Sequence, residues 1–409
     1  MYFCIKSKPI NMQEIRNQIE LLSYDYFLET IQLRRHIHQY PELSEQEFVT
    51  ARFICNTLKS YGISSKLLLN DTAVIAMIEG QNPKRSMIAL RADTDALPIE
   101  EEGNSTYISV NKGIMHACGH DVHTASLLAS AYILQKLKDL WEGSILLIFQ
   151  PSEEKFPGGA IRLIKAGLQE KYTIDAMLAM HVSPEIECGK IGMKSGKFMA
   201  STDEVYINIK GKGGHAALTH SFVNPVFIAS KTLIELDKAF HAAMPDEFPS
   251  ILTFGRIIGE GKTNIVPNDV FLEGTLRTFD EEWRKEARKI IKKTVTKIAK
   301  EHNGNAIIKI ANGYPVLIND ENVTNICMQA ASSYLGEDKV EKLSYRMTSD
   351  DFASFSQEVP SLLYRLGVQI EGKELNLHSP TFDINEKALE HSPGLMAYLA
   401  INLLTNINR

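Results

Sequence analysis

The sequence predicts an α/β fold: a mostly parallel sheet with helices around it, interrupted by an inserted ferredoxin-like α+β domain. Three observations lead to this. The 409 residues exceed what one ordinary core organises, since about 150 residues per domain is usual. Residues 30–200 alternate helical patterns with short β-branched apolar runs, the rhythm of an α/β layer structure. Residues 200–312 then change to the order β-α-β-β-α-β of a split βαβ unit, after which the first rhythm resumes. The expected boundaries are therefore 1–199 and 313–409 for the two parts of the first domain, with 200–312 inserted between them.

Each element has a local reason. Ser44 and Glu47 stand in capping-box spacing and predict a helix that runs to Ser60. Thr72 to Ile78, Ser86 to Leu90 and Ser144 to Phe149 are short apolar runs of strand length, and Asp175 to Met180 is another buried run. Helical patterns cover Asp121 to Leu137 and Gly159 to Ala166. In the insertion, Val205, Ile207 and Ile209 alternate with Tyr206, Asn208 and Lys210, which predicts a strand with one buried face. A helix from Pro225 to Phe240 follows. Strands at Ser250 to Ile258 and Val270 to Thr278 are separated by the turn-rich stretch Gly261 to Asn268. A long helix then puts Trp283, Ala287, Ile290, Ile291, Val295 and Ile298 on one face, and Asn305 to Ile310 closes the unit as a strand. Beyond it, a helix near Asn322 to Leu335 and a strand at Ser361 to Leu366 restore the α/β pattern.

Composition narrows the class. Apolar content of 44%, charged content of 23% and a net charge of -6 describe an ordinary soluble globular chain and predict no nucleic-acid partner. The lysines and arginines between Arg284 and Lys293 sit opposite an apolar stripe, as on a solvated helix face. Met1 to Lys6 has too short an apolar run for a signal peptide, and no stretch reaches the length of a membrane span. Five scattered cysteines, odd in number, fit a reducing compartment, so a cytoplasmic protein without a membrane partner is expected. Cys4, Cys55, Cys188 and Cys327 have no donor neighbours and read as inert thiols.

The polar groups collect where an open α/β sheet places its function, beyond the carboxyl ends of its strands. The strand ending at Leu90 runs into Arg91-Ala92-Asp93-Thr94-Asp95, the one ending at Phe149 into Glu153 and Glu154, and the run ending at Met180 delivers His181. Between the first two lies Met115-His116-Ala117-Cys118-Gly119-His120-Asp121-Val122-His123, with a thiol, an acid and three imidazoles in nine residues. These are the side chains that bind first-row divalent metals. His378, in Leu377-His378-Ser379-Pro380, is placed to fold back as a further donor.

Six ordered motifs carry a resemblance. They are Arg35-x-x-His38-x-x-Pro41-Glu42-Leu43, Arg91-Ala92-Asp93-x-Asp95-Ala96-Leu97-Pro98, His116-Ala117-Cys118-Gly119-His120-Asp121, Gln150-Pro151-x-Glu153-Glu154, Gly213-Gly214-His215-Ala216-Ala217 and His378-Ser379-Pro380. The series resembles the amidohydrolase branch of the dinuclear metallopeptidases, which contains hippurate hydrolases, N-acetyl-diaminopimelate deacetylases and hydrolases of indole-acetyl amino acids.

The resemblance implies that Cys118, His120, Glu154, His181 and His378 bind two divalent ions and that Glu153 is the general base. Asp93 is implied to support a ligand or the base, with Asp95 on the same loop ranked just behind it. His215 is implied to steady the developing oxyanion, although a histidine after glycines also reads as a plain turn residue. Asn264 and Arg277 match positions that meet the substrate carboxylate, and for Arg277 a structural salt bridge fits equally well. His116 and His123 read as residues behind the ligands rather than ligands. Thr219 and Asn224 depart from the family's usual proline and acidic residue beside the substrate entrance.

The expected activity is hydrolysis of the amide of N-acyl amino acids, a hydrolase acting on linear amides. Dipeptidase or carboxypeptidase activity, and a catalytically silent metal-containing binding protein, are the alternatives. One thiolate, three imidazoles and a carboxylate suit zinc, manganese or cobalt. The inserted domain is expected to act as lid and to hold a homodimer, with His215 serving the partner subunit.

Overall fold

The computed structural model describes residues 11–407. Cys4 and the segment Met1 to Lys6 lie outside them. The chain divides into two compact units, one formed by the residues up to Gly196 with Ile318–Ser344 and Ser354 onward, the other by Lys197–Leu317 with Tyr345–Ala353. The short return segment Tyr345–Ala353 is an addition that the sequence rhythm does not signal.

The first unit is built on an eight-stranded sheet. Its spatial order is Ser65–Leu68, Ala73–Glu79, Ser144–Gln150, Met87–Asp93, Ala176–Glu187, Ser361–Gln369, Ile191–Met193 and Val340–Lys342. The central pairings, from Ser144–Gln150 across to Ser361–Gln369, are parallel. These strands are buried on both faces, which is why they read as continuous apolar runs instead of alternating ones. The helix His120–Lys136 buries 14 of its 17 residues, including the first twelve in succession, so it lacks an amphipathic stripe. Helices Met12–Asp25, Phe27–Gln39 and Ala388–Asn406, which the sequence reading did not place, pack around it or around each other. Among the described residues no helix is long and apolar enough to cross a membrane.

The second unit has a four-stranded antiparallel sheet in the order Ser250–Ile258, Asp269–Thr278, Ser201–Lys210 and Asn305–Asn312. Numbered along the chain this is 2-3-1-4, the ferredoxin-like arrangement, with helices Pro225–Ala243 and Glu281–Glu301 as its crossovers. Val205, Ile207 and Ile209 turn inward and form one core with Trp283, Ala287, Ile291, Val295 and Ile298 from the long helix.

Two expectations need correction. The helix predicted from Ser44 begins at Phe48, and Ser44 and Glu47 form no capping box, because both side chains are bonded to distant parts of the chain. The strand expected to stop at Met180 continues to Glu187, so His181 lies inside it. The polar residues His181, Ser183 and Glu185 hide that continuation from an apolar-run criterion.

Candidate active site

Three parallel strands bring the acidic and imidazole groups to one end of the large sheet. Asp93 lies opposite Gln150, and Arg91 lies opposite Ala179, so two residues further along the parallel register His181 falls level with Asp93. Cys118 and His120 arrive on the approach to the helix His120–Lys136. Gly119 between them has φ +84°, and a Cβ there would stand 2.5 Å from Val182 Cγ2. Only glycine permits both that backbone conformation and that approach to the His181 strand. On the third strand, Gln150 leads into the turn Pro151 to Glu154, with Ser152 at φ +59°. A Cβ on Gly159 would meet Pro151 O at 1.8 Å, so the following helix packs directly under that turn. His378 comes from the segment between Gln369 and Ala388, its backbone N–H donating to Ala117 O at 2.8 Å.

The donors converge. Cys118 Sγ is 3.5 Å from His181 Nε2 and 3.3 Å from His378 Nε2, and His378 Nε2 is 3.1 Å from Glu154 Oε1. His120 Nε2 stands 3.9 Å from Glu154 Oε1 and 3.8 Å from Asp93 Oδ2. Two ligands of one tetrahedral ion with bonds of 2.0–2.3 Å stand about 3.3–3.7 Å apart, a range that holds the separations of Cys118 from His181 and His378, with the other three within about 0.2 Å of it. Cys118, His120 and His181 form one group able to hold an ion; Cys118, Glu154 and His378 form a second; His120, Glu153 and Glu154 form a third. The groups share members, as a pair of adjacent ions requires.

Hydrogen bonds behind the donors orient them. His120 Nδ1 donates to Asp95 O at 2.8 Å and His181 Nδ1 to Val182 O at 2.8 Å, so in the neutral form each ring has Nε2 as its ligating atom. Nε2 of His120 is buried and has no hydrogen-bond partner, a state that suits a ligand atom. Burial, with Glu154 nearby, holds the Cys118 thiol well above its usual range, so it keeps its proton until a cation replaces it. The donor set therefore fits divalent ions.

The neighbouring residues separate into distinct roles. His123 Nε2 accepts the Val182 N–H at 2.9 Å and its Nδ1 donates to Asp93 Oδ1 at 2.5 Å, so both nitrogens are occupied. Asp93 spends its other oxygen on Arg91 Nη1 at 2.6 Å. Burial opposes its charge, yet His120, Arg91 and His123 hold its carboxyl well below the usual carboxylate range. Contact with the Glu153–Glu154 turn falls to Asp95, whose Oδ1 and Oδ2 accept the N–H groups of Glu153 and Glu154, each at 3.0 Å. Its Oδ2 also accepts Ser44 Oγ at 2.7 Å. Glu47 accepts the Ser152 N–H at 2.7 Å. Sequence reasoning passed over Glu47, because its only local signal was the misleading capping spacing. His116 is buried and, unlike His120, is not among the grouped donors.

In the second unit, His215 sits on the short strand Gly214–His215, which pairs with Ile265–Val266. Asn264 O accepts the Ala216 N–H at 3.0 Å, so His215 and Asn264 are neighbours there. His215 Nδ1 accepts the Ala217 N–H at 3.2 Å, which leaves the proton of the neutral ring on Nε2. Arg277 donates to Met347 O at 2.9 Å and lies apart from that pair, on the strand Asp269–Thr278.

A family model, described as peptidase family M20/M25/M40, matches residues 89–402. The chain belongs to this family. It is a metal-dependent hydrolase. Among curated proteins it is 37% identical over 384 residues to an N-acetyl-L-cysteine deacetylase of Bacillus subtilis, covering 94% of this chain and 88% of that one. It is 35% identical over 380 residues to thermostable carboxypeptidase 2 of Saccharolobus solfataricus, covering 91% and 94%. Among solved structures it is similar to the Bacillus subtilis protein YXEP, described as a dinuclear metal-binding peptidase of family M20. That match has a TM-score of 0.79 at 30% identity and covers 93% of this chain and 99% of that chain.

Proposed function

We propose that this member of the M20 family cleaves the amide bond of N-acyl amino acids, with Cys118, His120, Glu154, His181 and His378 holding two divalent ions and Glu153 acting as general base. The observation that carries the reading is the convergence of these donors into overlapping groups, with Glu153 sharing a group with His120 and Glu154. Divalent ions held there would polarise the substrate carbonyl and lower the pKa of the attacking water. Glu153 takes the proton of the attacking water as its oxygen bonds to the carbonyl carbon. It then gives that proton to the amine nitrogen as the carbon–nitrogen bond breaks, a role worth about 10²–10⁴ in rate. Asp95 and Asp93 act through other residues, the first by fixing the Glu153–Glu154 turn and His120, the second by fixing His123.

His215, with its proton on Nε2, is read as the donor to the developing oxyanion, acting in the partner subunit of a homodimer. Asn264 and Arg277 are read as contacts to the substrate carboxylate. A cytoplasmic location belongs to the same proposal, and the four described cysteines, all free, are consistent with it. The resemblance to a carboxypeptidase supports a second reading, in which the acyl group is a peptide.

One panel separates the two. N-acetyl and N-benzoyl amino acids, their methyl esters and dipeptides are assayed with zinc or manganese. The proposal expects the N-acyl amino acids to lead, with the esters weakened about tenfold or more because a charge-assisted contact of roughly 1.5–3 kcal/mol is lost. Preference for dipeptides would favour the peptidase, and equal rates on acid and ester would remove the carboxylate contact.

A further inference from the structure

We propose that Glu47 is a positioning residue for the general base, holding the turn that carries Glu153 through the backbone N–H of Ser152. This rests on the reading of Glu153 as base.

Three successive N–H groups of that turn are captured by two fully buried carboxyl groups. Ser152 N donates to Glu47 Oε1 at 2.7 Å, Glu153 N to Asp95 Oδ1 at 3.0 Å and Glu154 N to Asp95 Oδ2 at 3.0 Å. Glu47 is 0% exposed and Asp95 1%. Ser152 Oγ adds a longer contact to Glu47 Oε1 at 3.3 Å and itself accepts the Glu45 N–H at 2.9 Å. Ser44 Oγ closes the cradle on Asp95 Oδ2 at 2.7 Å. Ser44 to Glu47 thus forms a bracket behind the base, tied to it at Ser152 and Asp95.

A buried carboxyl group is costly unless it is hydrogen-bonded, and Glu47 directs Oε1 to Ser152 instead of taking the capping role its spacing offers. Ser152 holds a left-handed backbone at φ +59°, a conformation that a non-glycine residue keeps only when its surroundings impose it. The N–H of Ser152 is the group that Glu47 fixes, and the residue after it is Glu153. A general base must stand within hydrogen-bond reach of the proton it moves, and a displacement of about 1 Å can cost 10²-fold in rate. Burial and the neighbouring Asp95 push the Glu47 carboxyl up to about 8, so at neutral pH it is largely a neutral acid. Glutamine can then stand in for it, retaining an acceptor oxygen for Ser152 N.

The test is a double-mutant cycle on the metal-loaded enzyme. Glu47→Ala is expected to lower kcat by about 10²-fold with KM little changed and two ions still bound, and Glu47→Gln to recover most of that loss. In a Glu153→Gln background Glu47→Ala should change the residual turnover little, because a residue acting through Glu153 has nothing left to position. If Glu47→Ala does not fold, Glu47→Asp serves in its place, since it keeps a carboxyl group in the site but withdraws it from Ser152 N. Full kcat in the position 47 variant would overturn the proposal. So would an equal loss with and without Glu153, which describes a structural residue. Substantial turnover in Glu153→Gln alone would instead contradict the identity of the base, an outcome distinct from either of these.

Discussion

At the scale of single residues, two of the five proposed donors, His120 and His181, have a ring proton placed by a neighbour. The backbone carbonyls of Asp95 and Val182 take the Nδ1 protons of His120 and His181, and that leaves both Nε2 atoms for ligation. Cys118 differs, because burial keeps its thiol protonated without a cation. Ion loading should therefore release about one more proton from the wild type than from Cys118→Ser, measured as the pH change in weakly buffered solution. Equal release from the two proteins would exclude Cys118 as a thiolate ligand. The residue types of the centre were legible in the sequence because thiols, imidazoles and paired carboxylates are rare in such density. The division between Asp93 and Asp95 was not, because both leave the same strand two residues apart. What distinguishes them is which distant groups they meet, Arg91 and His123 for one, the Glu153–Glu154 turn for the other.

At the scale of elements, the apolar patterns located most strands and helices. Tertiary contacts overrode the pattern where side chains served another segment. Ser44 and Glu47 have the spacing of a cap but bond across the fold to Asp95 and Ser152. In the second unit, Asp203 on the strand Ser201–Lys210 joins the sheet to the helix Glu281–Glu301, accepting from Arg284 at 2.6 Å and Arg288 at 2.6 Å. Burial opposes its charge, yet the two guanidinium groups hold it below the usual carboxylate range. A group whose folded pKa is depressed stabilises the fold above its unfolded pKa, and that contribution is lost as pH falls through the folded value. Asp203→Asn should thus cost about 1.5–3 kcal/mol at neutral pH, because it removes the carboxylate charge that Arg288 and Arg284 share, while Arg284 keeps Glu281. The gap to wild type should narrow once pH drops below about 3.9. Urea unfolding at pH 7 and at low pH checks this, and a gap that stays constant over that range would contradict it.

At the scale of the whole molecule, the order of elements disclosed a ferredoxin-like unit inside an α/β one. The return of Tyr345–Ala353 to the second unit left no mark on the sequence, since chain rhythm records neighbours along the chain and not neighbours in space. The proposed homodimer, with His215 serving the other subunit, makes a quantitative prediction. Glu153→Ala and His215→Ala proteins, each nearly inactive, are unfolded, mixed and refolded together. About half of the dimers are then mixed, each with one complete site of two, so activity should return to about a quarter of wild type. No recovery in verified heterodimers would mean that His215 acts within its own chain or has no part in the reaction.

The central claim is that Glu153 moves the proton at a two-ion centre without holding the ions in place. Elemental analysis and turnover measured on one preparation of Glu153→Gln test it most directly. The expected result is two ions per chain, as in the wild type, with turnover reduced by about 10²–10⁴. Two ions with more than about a tenth of wild-type turnover would contradict it.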